Sequence, residues 1–165
     1  MRARPLLFCD IDGVISLWGF APDTRPAGRW TTVEGIPHFL STRAAEHLLA
    51  LHPVFDLVWC SGWEEKADEH LPRILGVPAA LPHLAFDGHS RAAVSARAHW
   101  KLEAIDAHAG DRPLAWIDDA FNDACWAWAR ARPSPTLLVP TDPSEGLADA
   151  HAARLRSFAD ALRPR

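Results

Sequence analysis

The sequence of 165 residues predicts an α/β fold in which a mostly parallel sheet lies between two layers of helices. Two observations lead to this prediction. Short apolar runs, typical of strands buried on both faces, alternate along the chain with segments of helical periodicity. The composition, with 48% hydrophobic and 23% charged residues, is that of a globular domain and excludes a disordered, collagenous or coiled-coil chain.

Four apolar runs predict the strands of the sheet. The runs cover residues 6–9, 55–60, 114–117 and 136–139, and a weaker fifth run covers 84–86. In sheets of this kind, ligands bind beyond the carboxyl ends of the strands. The residues that follow each run are therefore the first place to look for chemistry.

Helical patterns lie between the strands and after the last one. They cover residues 42–51, 64–75, 92–108 and 121–130. In a final helix, Ser144 is a candidate N-cap, and one face carries residues at spacings of three and four. That face consists of Leu147, His151, Leu155, Phe158 and Leu162.

The segment 15–41 does not follow this alternation, because glycine and proline recur along it together with several aromatic residues. We interpret it as a loop plus a short hairpin, with strands at 29–33 and 37–40, that lies over the end of the sheet as a flap. The segment is too short for a separate cap domain. We therefore expect residues 1–165 to form a single domain.

Charge and cysteine content narrow the classes of function. The net charge of −4 gives no bulk basicity for non-specific nucleic-acid binding. The three cysteines have no paired spacing, so we expect reduced, buried thiols in a cytoplasmic protein. No apolar run is long enough to cross a membrane, and the apolar start of the chain is too short for a signal peptide. The nine histidines show no metal-ligand spacing, and we assign them no role.

Carboxylates follow two of the predicted strands. Asp10 and Asp12 come after the first strand, where their two-residue spacing points both side chains the same way. Turn-forming aspartates are the simpler explanation for that pair alone. Asp118 and Asp119 follow the strand 114–117, with Asp123 four residues beyond Asp119. Adjacent carboxylates repel one another, so this second cluster favours a bound cation.

A hydroxyl and a lysine complete the set. Ser61 and Gly62 follow the strand 55–60, where the hydroxyl can either cap the next helix or hold an anion. Lys101 lies in the third predicted helix, where a solvated surface lysine is the alternative. Carboxylates, a hydroxyl, a lysine and a divalent cation are together what phosphoryl transfer to an aspartate requires.

These segments resemble a known family. The segment 8–14, Phe-Cys-Asp-Ile-Asp-Gly-Val, resembles the first motif of the haloacid dehalogenase (HAD) superfamily. Ser61 resembles the second motif, Lys101 the third, and the segment 117–123 the fourth. The resemblance implies a Rossmann-like HAD fold with a minimal cap, and Asp-x-Asp indicates the phosphatase branch. Segments 29–35 and 58–64 further resemble the HAD domain of Swiss-army-knife RNA repair proteins.

The resemblance also implies catalytic roles. Asp10 would be the nucleophile and form an aspartyl-phosphate. Asp12 would protonate the leaving oxygen and then deprotonate the attacking water. Ser61 would bond the transferred phosphoryl group, and Lys101 would offset its charge.

It implies a magnesium site and a substrate site as well. Mg²⁺ would bind the Asp10 carboxylate, the Asp12 carbonyl and an aspartate of the fourth motif. Asp119 aligns with that ligand, with Asp123 behind it, but Asp118 remains an alternative. The substrate-binding candidates are Ser61, Gly62, Lys101 and Trp63.

The minimal cap implies an open site, which suits a large or loosely selected phosphorylated substrate. A small molecule and a nucleic-acid end both remain open, and we expect no obligate protein partner. Trp18, Trp30 and Trp63 could stack on a base, although packing of the flap on the core is the simpler interpretation. A basic track would favour nucleic-acid end processing, with Arg25, Arg29, Arg91 and Arg97 as candidates. A phosphotransferase and a non-catalytic binding module are further alternatives.

Overall fold

The computed structural model describes residues 3–86 and 98–164, and within them strands and helices alternate. In chain order the strands are β1 (Leu6–Cys9), β2 (Ser16–Leu17), β3 (Gly28–Val33), β4 (Ile36–Ser41), β5 (Asp56–Trp59), β6 (Leu114–Asp118) and β7 (Thr136–Pro140). The helices are α1 (Thr42–Leu51), α2 (Glu65–Leu75), α3 (Leu102–Ala109), α4 (Asp123–Ala131) and α5 (Asp149–Ala161). Short 3₁₀ turns occur at Pro22–Thr24 and Ala98–Lys101.

The central sheet contains four parallel strands in the order β5-β1-β6-β7. The four main strands are therefore confirmed. The weaker prediction of a strand at 84–86 is wrong within the described residues, where one isolated bridge joins His83 to Trp59. Pro82, next to that bridge, has no N–H and removes a donor from the pairing.

Alternate side chains of each strand pack on opposite faces of the central sheet. Leu7 and Cys9 of β1 belong to a core that includes residues of α1, α2 and α5. Leu6 and Phe8 of the same strand belong to a second core with residues of α3 and α4. The period of two in the strand thus divides the helices between two faces and confirms the three-layer α/β prediction.

The flap is a second, antiparallel sheet in the order β2-β4-β3. The predicted hairpin is confirmed and gains β2 as a third strand. Glu34 and Gly35 both have positive φ, at 50° and 81°, as a two-residue hairpin turn between twisted strands requires. The flap is attached to α2 by an ion pair of 2.6 Å between Glu34 Oε2 and Lys66 Nζ.

The helices differ from the predictions chiefly at their ends. The helix predicted over 42–51 is confirmed, and α2 and α4 begin slightly later than predicted. Of the helix predicted over 92–108, residues 92–97 lie outside the described residues, and so do Arg91 and Arg97. The visible remainder is the turn Ala98–Lys101 followed by α3.

The prediction of Ser144 as the cap of the last helix is wrong. The backbone N–H and the Oγ of Ser144 both donate to Asp142 Oδ1, at 2.8 and 2.7 Å. This local turn uses the hydroxyl, and α5 begins only at Asp149. Leu147 lies before the helix and is fully buried, as is Leu155 within it.

The cysteines are buried, as the sequence predicts. Cys9, Cys60 and Cys125 are buried free thiols. Over 3–86 and 98–164, no helix is both long and apolar enough to cross a membrane.

Candidate active site

The ends of the three adjacent strands β5, β1 and β6 bring together side chains from four distant parts of the chain. Asp10 follows β1, Ser61 follows β5, and Asp118 is the last residue of β6. Lys101, at the end of the Ala98–Lys101 turn, extends its side chain to the same place. All four are among the few buried polar residues of the described part of the chain, and Asp10, Asp118 and Lys101 are the charged ones.

Lys101 is held between two carboxylates. Its Nζ lies 2.6 Å from Asp118 Oδ2 and 3.1 Å from Asp10 Oδ1. Burial alone would lower the pKa of Lys101, but Asp10 and Asp118 outweigh it and raise the pKa above its ordinary value. The lysine is therefore a fixed, buried positive charge, and the alternative of a solvated surface lysine is excluded.

Three carboxylates, which we call the acidic group, surround a single point. One oxygen from each of Asp10, Asp118 and Asp119 lies within 4.8 Å of the others. Burial raises the pKa of Asp10 well above its usual range, and Lys101 only partly opposes this shift. Desolvation, and then the charge of Asp118, raise the pKa of Asp119 to about 6. The negative charge of the group exceeds what one lysine can neutralise.

The two aspartates at the end of β6 have different partners. Asp118 pairs with Lys101, and its Oδ1 accepts the N–H of Ala120 at 3.1 Å. Asp119 is half-buried and forms no ion pair with a described residue. Its carboxyl packs against Gly13, where a Cβ atom would lie 2.4 Å from Asp119 Cγ. Gly13 also has a φ of 81°, so both space and backbone conformation require glycine there.

Thr141 is a residue of this region that the sequence analysis missed. It follows β7, its Oγ1 donates to the carbonyl of Gly13 at 2.8 Å, and its N–H donates to the carbonyl of Asp118 at 3.1 Å. It thereby joins the loop after β1 to the end of β6. A signal was available, because Thr141 follows a predicted strand as Asp10 and Ser61 do.

Asp12 lies at the entrance, where solvent reaches its side chain. The indole Nε1 of Trp63 lies 3.3 and 3.4 Å from its two carboxylate oxygens. Desolvation by the surrounding protein raises the pKa of Asp12, and the nearby His38 opposes this rise. No role for His38 follows from local sequence patterns, since only the pairing of the flap strands brings it here.

Ser61 and Gly62 form the start of the turn that leads into α2. The buried Oγ of Ser61 accepts the backbone N–H of Trp63 at 3.2 Å, within the turn before the helix. It does not cap α2, which begins at Glu65 with no side-chain cap, so the capping alternative is wrong. Gly62 is exposed, and a Cβ atom there would meet no other atom within 4 Å. The space around this position would therefore admit a larger side chain.

Asp123 is not brought into the acidic group. It is exposed at the first residue of α4, where a negative charge complements the helix dipole. The preceding Asn122 caps that helix, with its Oδ1 accepting the N–H of Cys125 at 3.3 Å.

The sequence matches one family model over most of its length. The model describes the HAD domain in Swiss Army Knife RNA repair proteins, and it matches residues 6–152. The chain belongs to this HAD family. The match begins at β1 and ends within α5, so it includes every residue of the acidic group and Lys101.

Other comparisons are more distant. No curated protein matches the chain significantly. One solved structure, of a protein assigned as a 3-deoxy-D-manno-octulosonate 8-phosphate phosphatase from Vibrio cholerae, is 15% identical, with a TM-score of 0.48. The similarity covers 98% of this chain and 88% of that one. The family assignment rests on the sequence match.

Proposed function

We propose that this HAD domain hydrolyses phosphomonoesters, with Asp10 as the nucleophile and Mg²⁺ as the cofactor. The observation that carries the proposal is the buried carboxyl of Asp10, fixed at the end of β1 with Lys101 Nζ 3.1 Å away. Burying a charge is costly unless an opposite charge or hydrogen bonds compensate it. Here the acidic group leaves negative charge unbalanced, which supports a catalytic purpose over a structural one.

Phosphoryl transfer to Asp10 would form an aspartyl-phosphate and release the alcohol. Lys101 would stabilise the negative charge that gathers on the transferred phosphoryl group, since it is already held beside the nucleophile. Ser61 would bond a phosphoryl oxygen through its hydroxyl hydrogen, which its contact with the Trp63 N–H leaves available.

Asp12 would move the protons. Its raised pKa favours the protonated form that a general acid needs, and its place at the entrance gives it access to the leaving oxygen. After giving up that proton, the carboxylate would take one from the water that hydrolyses the aspartyl-phosphate. The products are the alcohol and inorganic phosphate, and both aspartates return to their initial forms.

The acidic group fits a divalent cation. Its three oxygens lie close together, and a cation would offset both the burial that chiefly raises the pKa of Asp10 and Asp119 and the added repulsion from Asp118. Asp10 and Asp119 are the side chains that would hold Mg²⁺, together with the carbonyl of Asp12. Both oxygens of Asp118 already have partners, Oδ2 with Lys101 and Oδ1 with the N–H of Ala120. Bound Mg²⁺ would offset the negative charge of the phosphoryl oxygens and of the Asp10 carboxylate.

A nucleic-acid end is the second candidate substrate, and two observations favour it. The matching family is named for RNA repair proteins. Trp18 and Trp30 of the flap are 50% and 60% exposed, so bases could stack on them. The proposed basic track has less support, because Arg25 stacks on Phe39 and Arg29 donates to the carbonyl of Ile74.

The test is phosphate release with Mg²⁺ from an aryl phosphate and from a 3′-phosphorylated oligoribonucleotide. We expect Asp10→Asn to remove turnover of both, because the amide is not a nucleophile, while the melting temperature does not fall. Oligonucleotide turnover far above the aryl ester would support end processing, and the reverse would support small molecules. Residual activity of Asp10→Asn above a few per cent would exclude Asp10 as the nucleophile.

A further inference from the structure

Trp63 contacts the proposed general acid and base directly. Its indole N–H points between the two carboxylate oxygens of Asp12, at 3.3 and 3.4 Å from Nε1. The contact is long for a single hydrogen bond, but its near-equal distances are those of one donor shared by two acceptors. A donor so placed limits rotation of the carboxyl while leaving lone pairs of both oxygens free.

His38 of the flap supports the same indole from the side. The centroids of the two rings are 4.8 Å apart, with an angle of 59° between the ring planes. His38 Nδ1 forms a 2.8 Å hydrogen bond with the buried Oγ of Ser16. Ser16 is in turn joined to the catalytic loop, since its carbonyl accepts the N–H of Gly13 at 2.8 Å. The imidazole is thus fixed to the same loop that carries Asp12.

We propose that Trp63 is a positioning residue for Asp12, and that His38 holds Trp63 in place. This inference rests on the proposed function, because it assigns Asp12 its role in proton transfer. The flap then contributes to the chemistry through His38 and Ser16 as well as covering the site. A substrate-stacking role for Trp63 is less favoured, since His38 packs against its ring and Asp12 takes its N–H.

The kinetic test compares Trp63→Phe with Trp126→Phe, a matched control on α4, where the ring is 37% exposed. Two substrates of similar size are used, 4-nitrophenyl phosphate and phenyl phosphate. Phenoxide is much the poorer leaving group and depends more on protonation by Asp12. We expect Trp63→Phe to lower kcat/KM about tenfold for phenyl phosphate and less than about threefold for 4-nitrophenyl phosphate, since general acid catalysis contributes about 10²–10⁴-fold in all.

His38→Gln and Trp126→Phe test whether the effect is specific to the contact between Trp63 and Asp12. His38→Gln should also lower kcat/KM selectively for phenyl phosphate, but by a smaller factor than Trp63→Phe. The amide can keep the bond to Ser16 Oγ but not the ring contact with Trp63. Trp126→Phe should match wild type with both substrates. Equal losses of Trp63→Phe with both substrates, or a rise in KM with unchanged kcat, would overturn positioning and support a structural or a stacking role.

A second readout does not depend on turnover. In protein with ¹⁵N-labelled tryptophan, the indole signal that Trp63→Phe removes should shift in Asp12→Asn, and the Trp126 signal should not. An unmoved Trp63 signal would overturn the inference even in an active enzyme. Wild-type protein that releases no phosphate from any monoester would overturn the proposed function, and the positioning role with it. Active protein with no selective effect of Trp63→Phe would overturn positioning alone.

Discussion

The two ends of the central sheet both carry charged side chains, but only at one end are these charges buried. At the amino end, Asp56 opens β5 and pairs with Arg4 at 2.6 Å and with Arg112. All three side chains are more than a third exposed. At the carboxyl end, the acidic group faces one lysine, and Asp10, Asp118 and Lys101 are almost fully buried.

The difference distinguishes a structural cluster of charges from the one for which we propose a catalytic role. Exposed ion pairs contribute little to stability, because solvent screens any charge that is left over. A buried acidic excess is unfavourable until a cation or a proton joins it. A cavity of about 730 Å³ also opens at the amino end, beside Arg4 and Arg112. This cavity is lined by neither the acidic group nor Lys101, so its volume does not mark the proposed site.

The largest effect should come from Lys101, the one buried cation of the described carboxyl end. Lys101→Ala leaves Asp10 and Asp118 uncompensated, so we expect a stability loss of about 2–4 kcal/mol at pH 7, near the range for a broken buried pair. Activity should fall about 10²–10³-fold, as when another preorganised charge or donor is removed from a transition state. Urea denaturation and phosphate release measure the two effects.

Lys66 is the matched control, because it is the only other lysine of the chain. It lies in α2 and forms an exposed pair with Glu34 at the turn of the flap hairpin. Lys66→Ala should cost less than about 1 kcal/mol, the value of a surface pair, and should leave kcat unchanged. Equal effects of the two lysine variants would mean that burial of Lys101 gives it no special role.

The same contrast explains what could be predicted from the sequence. Asp10, Ser61 and Asp118 follow local apolar runs, and parallel strands align their carboxyl ends, so local patterns predict that these side chains meet. The sequence could not distinguish Asp118 from Asp119. Which of them reaches Lys101 depends on where β6 ends and on the position of Gly13 relative to the Asp119 carboxyl.

Contacts made through the flap lay beyond local patterns. His38 reaches Ser16 only because β2 pairs with β4, and the hairpin prediction contained no β2. Ser144 does not cap α5 for a related reason, because its hydroxyl donates to the neighbouring Asp142 instead. Long-range pairing and competition between local hydrogen bonds are set by the whole fold.

A smaller effect should appear at Asp119. Its pKa rises from an ordinary 3.8 to about 6 in the folded protein, so the proton stabilises the fold below pH 4, and this stabilisation is lost as the pH rises through 6. In EDTA at pH 7.5, Asp119→Asn should therefore stabilise the protein by about 1–2 kcal/mol, discounted for the exposure of the group. At pH 4 the difference should vanish.

Mg²⁺ should reverse the order of stability of wild type and Asp119→Asn. Mg²⁺ should raise the melting temperature of wild type more than that of Asp119→Asn, because the variant lacks one proposed ligand. Asp123→Asn is the control, since Asp123 lies outside the acidic group. It should retain the full Mg²⁺ effect and show no gain at pH 7.5. If Mg²⁺ raised the melting temperature of Asp119→Asn as much as that of wild type, Asp119 would be excluded as a ligand.

The smallest effect should come from the amino end. Asp56→Asn weakens the ion pairs with Arg4 and Arg112, each worth about 0.2–1 kcal/mol at this exposure. We expect a loss of about 0.5–1.5 kcal/mol that shrinks in high salt, because exposed charges are screened. The kcat and KM values should equal those of wild type, since Asp56 lies at the opposite end of β5 from Ser61. A fall in kcat with preserved stability would show that the two ends are coupled, and the separation of structural from functional charge would then fail.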